Sequence, residues 1–255
     1  DGTTAGMIAC VAAAQPDVVL HIASLFLAQH RPEDVTRLIT SNVLFGSQLL
    51  EAMSANRCRR ILNVATAWQH FGGAEYDPVC LYAATKEAFA DILTFYVNAE
   101  RFSAITLKLH DTYGPGDERP KLIGMLSRAD PGSAIEMSAG DQLVDFVHID
   151  DVVDAFVIAA RRLSAGAEGA DAAVGPGQEE SYMISSGAAV PLKELVTRFL
   201  AETGKSLRIT WGGRPYRARE VMVPWSQGAT LPGWSPKVTL DLGLRRLARS
   251  HPEQP

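Results

Sequence analysis

Short apolar runs alternate with long helix-prone stretches through the first 110 residues. Residues 4–15 are Ala-rich, and Pro16-Asp17 interrupts them before the apolar run "VVLHIA" (18–23), which predicts a buried strand. Pro32-Glu33-Asp34 opens a helix reaching about Ala55, with its acids where the helix dipole favours them. "RILNVAT" (60–66) predicts the next strand, and a helix follows from about Val79 to Glu100. "SAITLKLH" (103–110) is a further strand. Strands alternating with long helices imply right-handed crossovers and a parallel, doubly wound α/β sheet. Such a sheet holds ligands beyond the carboxyl ends of its strands, where His21 to Ser24, Ala65-Thr66 and Leu109 to Asp111 fall.

After Thr112 the texture changes. "YGPGDERP" (113–120) reads as loop, 121–129 as helix, and 144–163 as a strand running into a helix. Residues 164–180 read as a Gly/Ala-rich surface insertion. The tail shows one clear helix (191–203), a short strand near 207–210 and a Pro/Trp-rich stretch. This predicts two lobes. Residues 1–111 and about 148–188 form the larger, and residues 112–147 and 189–255 a smaller α/β lobe.

Composition narrows the class of activity. The 255 residues are 47% hydrophobic and 21% charged, as in ordinary globular proteins. A net charge of −5 offers no basic footprint for nucleic acid. No apolar run approaches the ~20 residues of a membrane span, and residues 1–20 lack a signal-peptide pattern. Cys10, Cys58 and Cys80 are odd in number and widely spaced, which suits reduced thiols in a cytoplasm. The six histidines lack metal-ligand spacing, so no metal is expected.

Candidate chemistry centres on "LYAATKEAF" (81–89). Four residues along a helix return to nearly the same face, so Lys86 can bring its ammonium near the Tyr82 phenol. A nearby cation favours phenolate and would lower the phenol from its usual value near ~10. That yields a proton donor or acceptor usable near neutral pH. Thr66 ends the preceding strand, where its hydroxyl would face the same crevice. Taken alone, each has an ordinary structural explanation: a chance helical pair for Tyr82 and Lys86, a strand-end hydrogen bond for Thr66.

The order "DVVLHIAS", "NVLFGSQLLEAM", "ILNVAT", "LYAATKEAF", "LKLHDTYGPGD", "DFVHIDDVVDAF" and "GWSPKVTLDLGL" resembles the extended short-chain dehydrogenase/reductase family, whose members act on nucleotide-diphospho-sugars. The resemblance covers nearly the whole chain and implies a Rossmann-like fold. "LFLAQH", "TAWQHF" and "DTYGPGDERPKL" look most like the 4-ketoreductases of deoxysugar pathways. It implies Tyr82 as acid/base, Lys86 as the group that positions cofactor ribose and tunes Tyr82, and Thr66 as hydrogen-bond partner of the reacting oxygen. Ala23, Ser24, Asn42, Tyr82, Lys86 and His110 match positions that contact NAD or NADP, and Asp111 matches one near the sugar. It further implies a homodimer built on the helix carrying Tyr82 and the long helix before it.

Three departures qualify that picture. Thr66 is followed by Ala67-Trp68, not by the acidic pair of the family's dehydratases, which counts against elimination chemistry. The family's "RDFVH" arginine is Val144 here, so neutralising a diphosphate falls to Arg217 or Arg219. No G-x-G-x-x-G or G-x-x-G-x-x-G is present, although a dinucleotide fold needs a glycine turn against the pyrophosphate. Asp1 resembles the residue that ends the family's third strand, so an opening β-α-β-α-β portion is expected ahead of it. The 255 residues alone are expected to bind NAD(P)H very weakly. Three readings stay open: an NAD(P)H-dependent 4-ketoreductase of a nucleotide-linked deoxysugar, a nucleotide-sugar 4-epimerase, or a non-catalytic binding protein.

Overall fold

The structure, a computed structural model, describes residues 2–164 and 173–250. Helix α1 (Thr4–Ala14) starts at Thr3, whose hydroxyl accepts from the Gly6 N–H (3.0 Å), and stops where Gln15 turns left-handed. Strand β1 (Val19–His21) follows, half the predicted length. The predicted long helix breaks into a 3-10 turn (Pro32–Asp34), α2 (Val35–Ile39), a π turn (Thr40–Leu44) and α3 (Phe45–Ala55). Next come β2 (Arg60–Thr66), α4 (Leu81–Glu100), β3 (Ser103–Leu109) and β4 (Asp111–Tyr113). Then follow α5 (Leu122–Arg128), β5 (Ala134–Met137), β6 (Leu143–Val144), β7 (Phe146–His148) and α6 (Ile149–Ser164). The chain ends with β8 (Gln178–Ile184), β9 (Val190–Pro191), α7 (Leu192–Thr203), β10 (Arg208–Trp211) and α8 (Leu240–Ser250).

The main sheet runs β1-β2-β3-β8, every pair parallel. Its two faces are covered differently. Val19 packs with α1, α3 and α4 around Leu50, Met53, Phe89 and Leu93. Val18, one residue away, turns to the other face, where Leu62, Ile105 and Leu107 meet Val152, Ala155 and Ala159 of α6. The period-2 alternation thus puts the helices on both faces, as the strand–helix pattern predicts. A third core gathers Tyr113, Leu126 and Phe146 with Leu195, Phe199, Leu244 and Leu247.

Several elements depart from the pattern reading. Strand β8 lies partly inside the segment read as an insertion; it pairs with β3 over its whole length. Its first residues are polar and exposed, since it is a sheet edge, and that concealed it. Residues 165–172 of that insertion lie outside the described residues. Tyr113 belongs to β4, which pairs with β7, and not to a loop. Strand β5, paired with β10, and helix α8 were not anticipated.

Candidate active site

Helix α4 begins after Cys80 without a side-chain cap and puts Tyr82 and Lys86 one turn apart, both buried. Lys86 Nζ lies 5.9 Å from the centre of the Tyr82 ring and donates to the Val64 carbonyl on β2 (2.9 Å). That carbonyl takes one of three N–H groups, and Nζ has no other hydrogen bond among the described residues. Burial lowers Lys86 to about 8.

Tyr82 departs from the expectation of an acidified phenol. Burial dominates and pushes it up to about 12, while a hydrogen bond from Ser24 and the charge of Arg119 pull the other way. The phenol is therefore a held proton, fit to donate rather than to sit ionised. His21 lies under the same site, in contact with Phe45 and Phe89. Burial and the Lys86 charge lower it to about 4, so it is neutral.

The structure gives several predicted residues more specific work. Asn42 sits in the π turn, a local expansion that is often found at functional sites. Its side chain accepts from Leu25 N (2.7 Å) and donates to Leu25 O (2.9 Å) and Thr85 Oγ1 (2.9 Å). Both N–H donors are thereby committed to protein, so Asn42 pins the loop after β1 to α4. That loop carries Ala23, Ser24 and Phe26. Gly46 serves the same junction, since a Cβ there would lie 2.4 Å from the Phe89 ring. Thr66 caps the turn at 67–69, accepting from Trp68 N (3.2 Å).

His110 is buried beside Asp145, with Nδ1 4.0 Å from Oδ2 and no hydrogen-bond partner on Nε2. Burial lowers it against the pull of Asp145 and Asp111. Asp145 accepts from Ser185 Oγ and Ser186 N (2.9 Å), which ties β7's entry to the end of β8. Asp111 pairs with Lys121 (3.2 Å).

His110, Asp111 and Asp145 border two depressions that share lining residues, while Thr66, Tyr82 and Lys86 line neither. One is lined by Trp68, His110, Asp111, Asp145, Arg217 and Trp225. The other, a cavity of about 370 Å³, adds Phe26, Lys121, Gln142 and Arg214 to the Trp68, Asp111 and Arg217 they share. Arg217 holds Glu220 bidentately (2.9 and 2.7 Å) and lies 5.1 Å over the Trp68 ring. Arg219 does not line either depression. It pairs with Asp77 and lies 4.2 Å over Phe71. Lys121 and Arg214 are the cations that sequence reasoning missed. Lys121 caps the start of α5 and Arg214 sits in the irregular segment after β10.

A dinucleotide fits this site in part. The buried phenol, the spare donors of Lys86 and the unpartnered Nε2 of His110 suit a nicotinamide and its ribose. Among the described residues no strand–glycine turn–helix cradles a pyrophosphate. Among the described residues no group of three His, Cys, Asp or Glu is placed for a metal ion, and no helix is long and apolar enough to cross a membrane.

The parallel sheet, the Tyr-x-x-x-Lys helix and the crevice at the strand ends define a short-chain dehydrogenase/reductase of the extended type. The chain belongs to the NAD dependent epimerase/dehydratase family, which it matches over residues 3–175, and is an NAD(P)-dependent oxidoreductase. It is 26% identical to CDP-abequose synthase of Salmonella typhimurium (strain LT2) over 243 residues, covering 91% of this chain and 75% of that protein. It is 20% identical to dTDP-4-dehydro-6-deoxyglucose reductase of Escherichia coli, covering 91% and 74%. Among solved structures, MoeE5 in complex with UDP-glucuronic acid and NAD superposes with a TM-score of 0.77 at 24% identity, over 96% of this chain and 81% of that one.

Proposed function

We propose that the protein is an NAD(P)H-dependent 4-ketoreductase of a nucleoside-diphospho-4-keto-6-deoxysugar. The observation that carries this reading is Tyr82: a phenol held protonated by burial, backed by a desolvated lysine, and in edge contact with Phe26, which lines a cationic cavity. The nicotinamide, when bound, supplies the hydride that the C4 carbonyl carbon accepts. Tyr82 gives its proton to the oxygen at C4. The Lys86 cation favours the phenolate left behind, and the Thr66 hydroxyl, which accepts from Trp68 N, keeps its own O–H for the same oxygen. Arg217, Arg214 and Lys121 offer positive charge to the diphosphate, Arg217 by exchanging its Glu220 partner. Ala67 and Trp68 place no acid or base at the position that elimination would need.

The relatives named CDP-abequose synthase and dTDP-4-dehydro-6-deoxyglucose reductase support the substrate class. The reading extends to a cytoplasmic homodimer whose two-fold contact uses α3 and α4. A panel of CDP- and dTDP-linked 4-keto-6-deoxysugars, followed at the nicotinamide absorbance, tests the activity. One NAD(P)H consumed per sugar is the expected result. Interconversion of 4-epimers without net consumption would make the protein an epimerase, and no turnover on any member would leave a binding protein.

A further inference from the structure

Phe26 and Trp68 form an aromatic pair at the crevice. Neither joins any of the three buried cores, and Phe26 is 37% exposed. Both line the large cavity, and Trp68 lines its smaller neighbour as well. Their rings are 5.6 Å apart, and the Phe26 ring meets Tyr82 edge-on at 5.0 Å and 82°. Cations flank the pair: Arg217 lies over Trp68 at 5.1 Å and Lys121 over Phe26 at 5.1 Å. The result is a continuous apolar wall that abuts the proton donor on one side and the cationic cavity on the other.

Phe26 stays partly open to water, which forfeits burial that a core position would provide, so the wall points to a ligand with an apolar edge. Its place beside Tyr82 says which edge. A sugar with its C4 oxygen on the phenol carries its C5 substituent only two bonds from C4. Of the two carbons that flank C4, only C5 carries an apolar substituent in a 6-deoxyhexose, and Phe26 is the apolar ring in contact with Tyr82.

We propose that Phe26 and Trp68 are specificity-determining residues that select a methyl group at C5, and so a 6-deoxyhexose, over the corresponding hydroxymethyl. The inference rests on the nucleotide-sugar reductase reading and deepens it. A hydroxyl carried into an apolar contact without a partner loses its water, while a methyl gains by the same burial. A wall of this kind discriminates by roughly 10- to 200-fold. The rings also keep water from the Tyr82 proton, consistent with the buried phenol.

The test compares a nucleoside-diphospho-6-deoxyhexose with its 6-hydroxy parent, both oxidised at C4 in the reverse direction with NAD(P). Wild-type protein should prefer the deoxy sugar by roughly 10-fold or more in kcat/KM. Phe26→Asn and Trp68→Gln should each lower that ratio several-fold. An unchanged ratio, with both sugars losing rate equally, would show that the rings only hold Tyr82 and would overturn the inference. Should wild type turn over neither sugar, calorimetry with the same two nucleotides separates the failures. Tighter binding of the deoxy sugar that Trp68→Gln abolishes would sustain the wall while the reductase reading fell. Equal affinity would overturn the wall.

Discussion

Tyr82 and Lys86 show how one burial acts oppositely on two groups. Desolvation disfavours the charged form of each, so the phenol rises to about 12 and the ammonium falls to about 8. Tyr82→Phe keeps the ring's packing against Phe26 and removes only the proton. Turnover should fall ~100-fold or more, with a melting temperature near that of wild type; steady-state kinetics and thermal melts check both. Lys86 carries a cost that the fold bears for function. Because its folded value is depressed, the unfolded chain binds the extra proton between about pH 8 and its ordinary value near ~10.4, and wild-type stability rises with pH across that window. Lys86→Met should therefore stabilise the protein at pH 7 by about 2 kcal/mol, after allowance for the lost bond to Val64. That gain should shrink as pH climbs above 8. Denaturant titrations at pH 7 and pH 10 read it, and an equal gain at both would show that Lys86 is not a buried charge.

At the scale of elements, the periodicity of the chain was enough for β2, β3, α4, α5, α6 and α7, whose apolar residues repeat cleanly. It failed where an element sits at an edge or depends on distant partners. The acidic and polar start of β8 reads as loop, since one side of that strand has no neighbour in the sheet. The π turn around Asn42 leaves no mark on the apolar repeat. It is legible only once the Leu25 loop and Thr85 are seen to converge on one amide. The same holds within the candidate site. Tyr82 and Lys86 were legible because one helical turn fixes their relation. Arg217 and Arg219 lie two residues apart outside any helix or strand, so Trp68 and Asp77, both remote in sequence, decide which of them faces the cleft. Asn42→Ala would leave the Leu25 backbone and the Thr85 hydroxyl short of partners. A loss of about 2 kcal/mol is expected in urea titrations, with turnover lowered as the Ser24 loop loosens. Unaltered stability would mean that the π turn holds itself without the amide.

For the whole molecule, the exposed apolar residues include two at the helices that would meet in a dimer. Phe95 on α4 is 61% exposed, and Leu44, at the start of α3, is 47% exposed. Both lie on the helices proposed to form the dimer contact, and an obligate interface favours such apolar residues. Phe95→Glu should shift a homodimer to monomer in analytical ultracentrifugation; a wild-type monomer independent of concentration would refute the contact. The substrate reading spans the molecule as well. Helix α4, packed on the main sheet, supplies the donor, and the third core lines the cavity through Met137, Phe146 and Leu192. The most direct test follows deuterium into product from NAD(P)H deuterated at both C4 positions, with a nucleoside-diphospho-4-keto-6-deoxysugar as substrate. The account predicts one deuterium at sugar C4 for each nicotinamide oxidised. Product without deuterium at C4, or formed with no net nicotinamide oxidation, would contradict it.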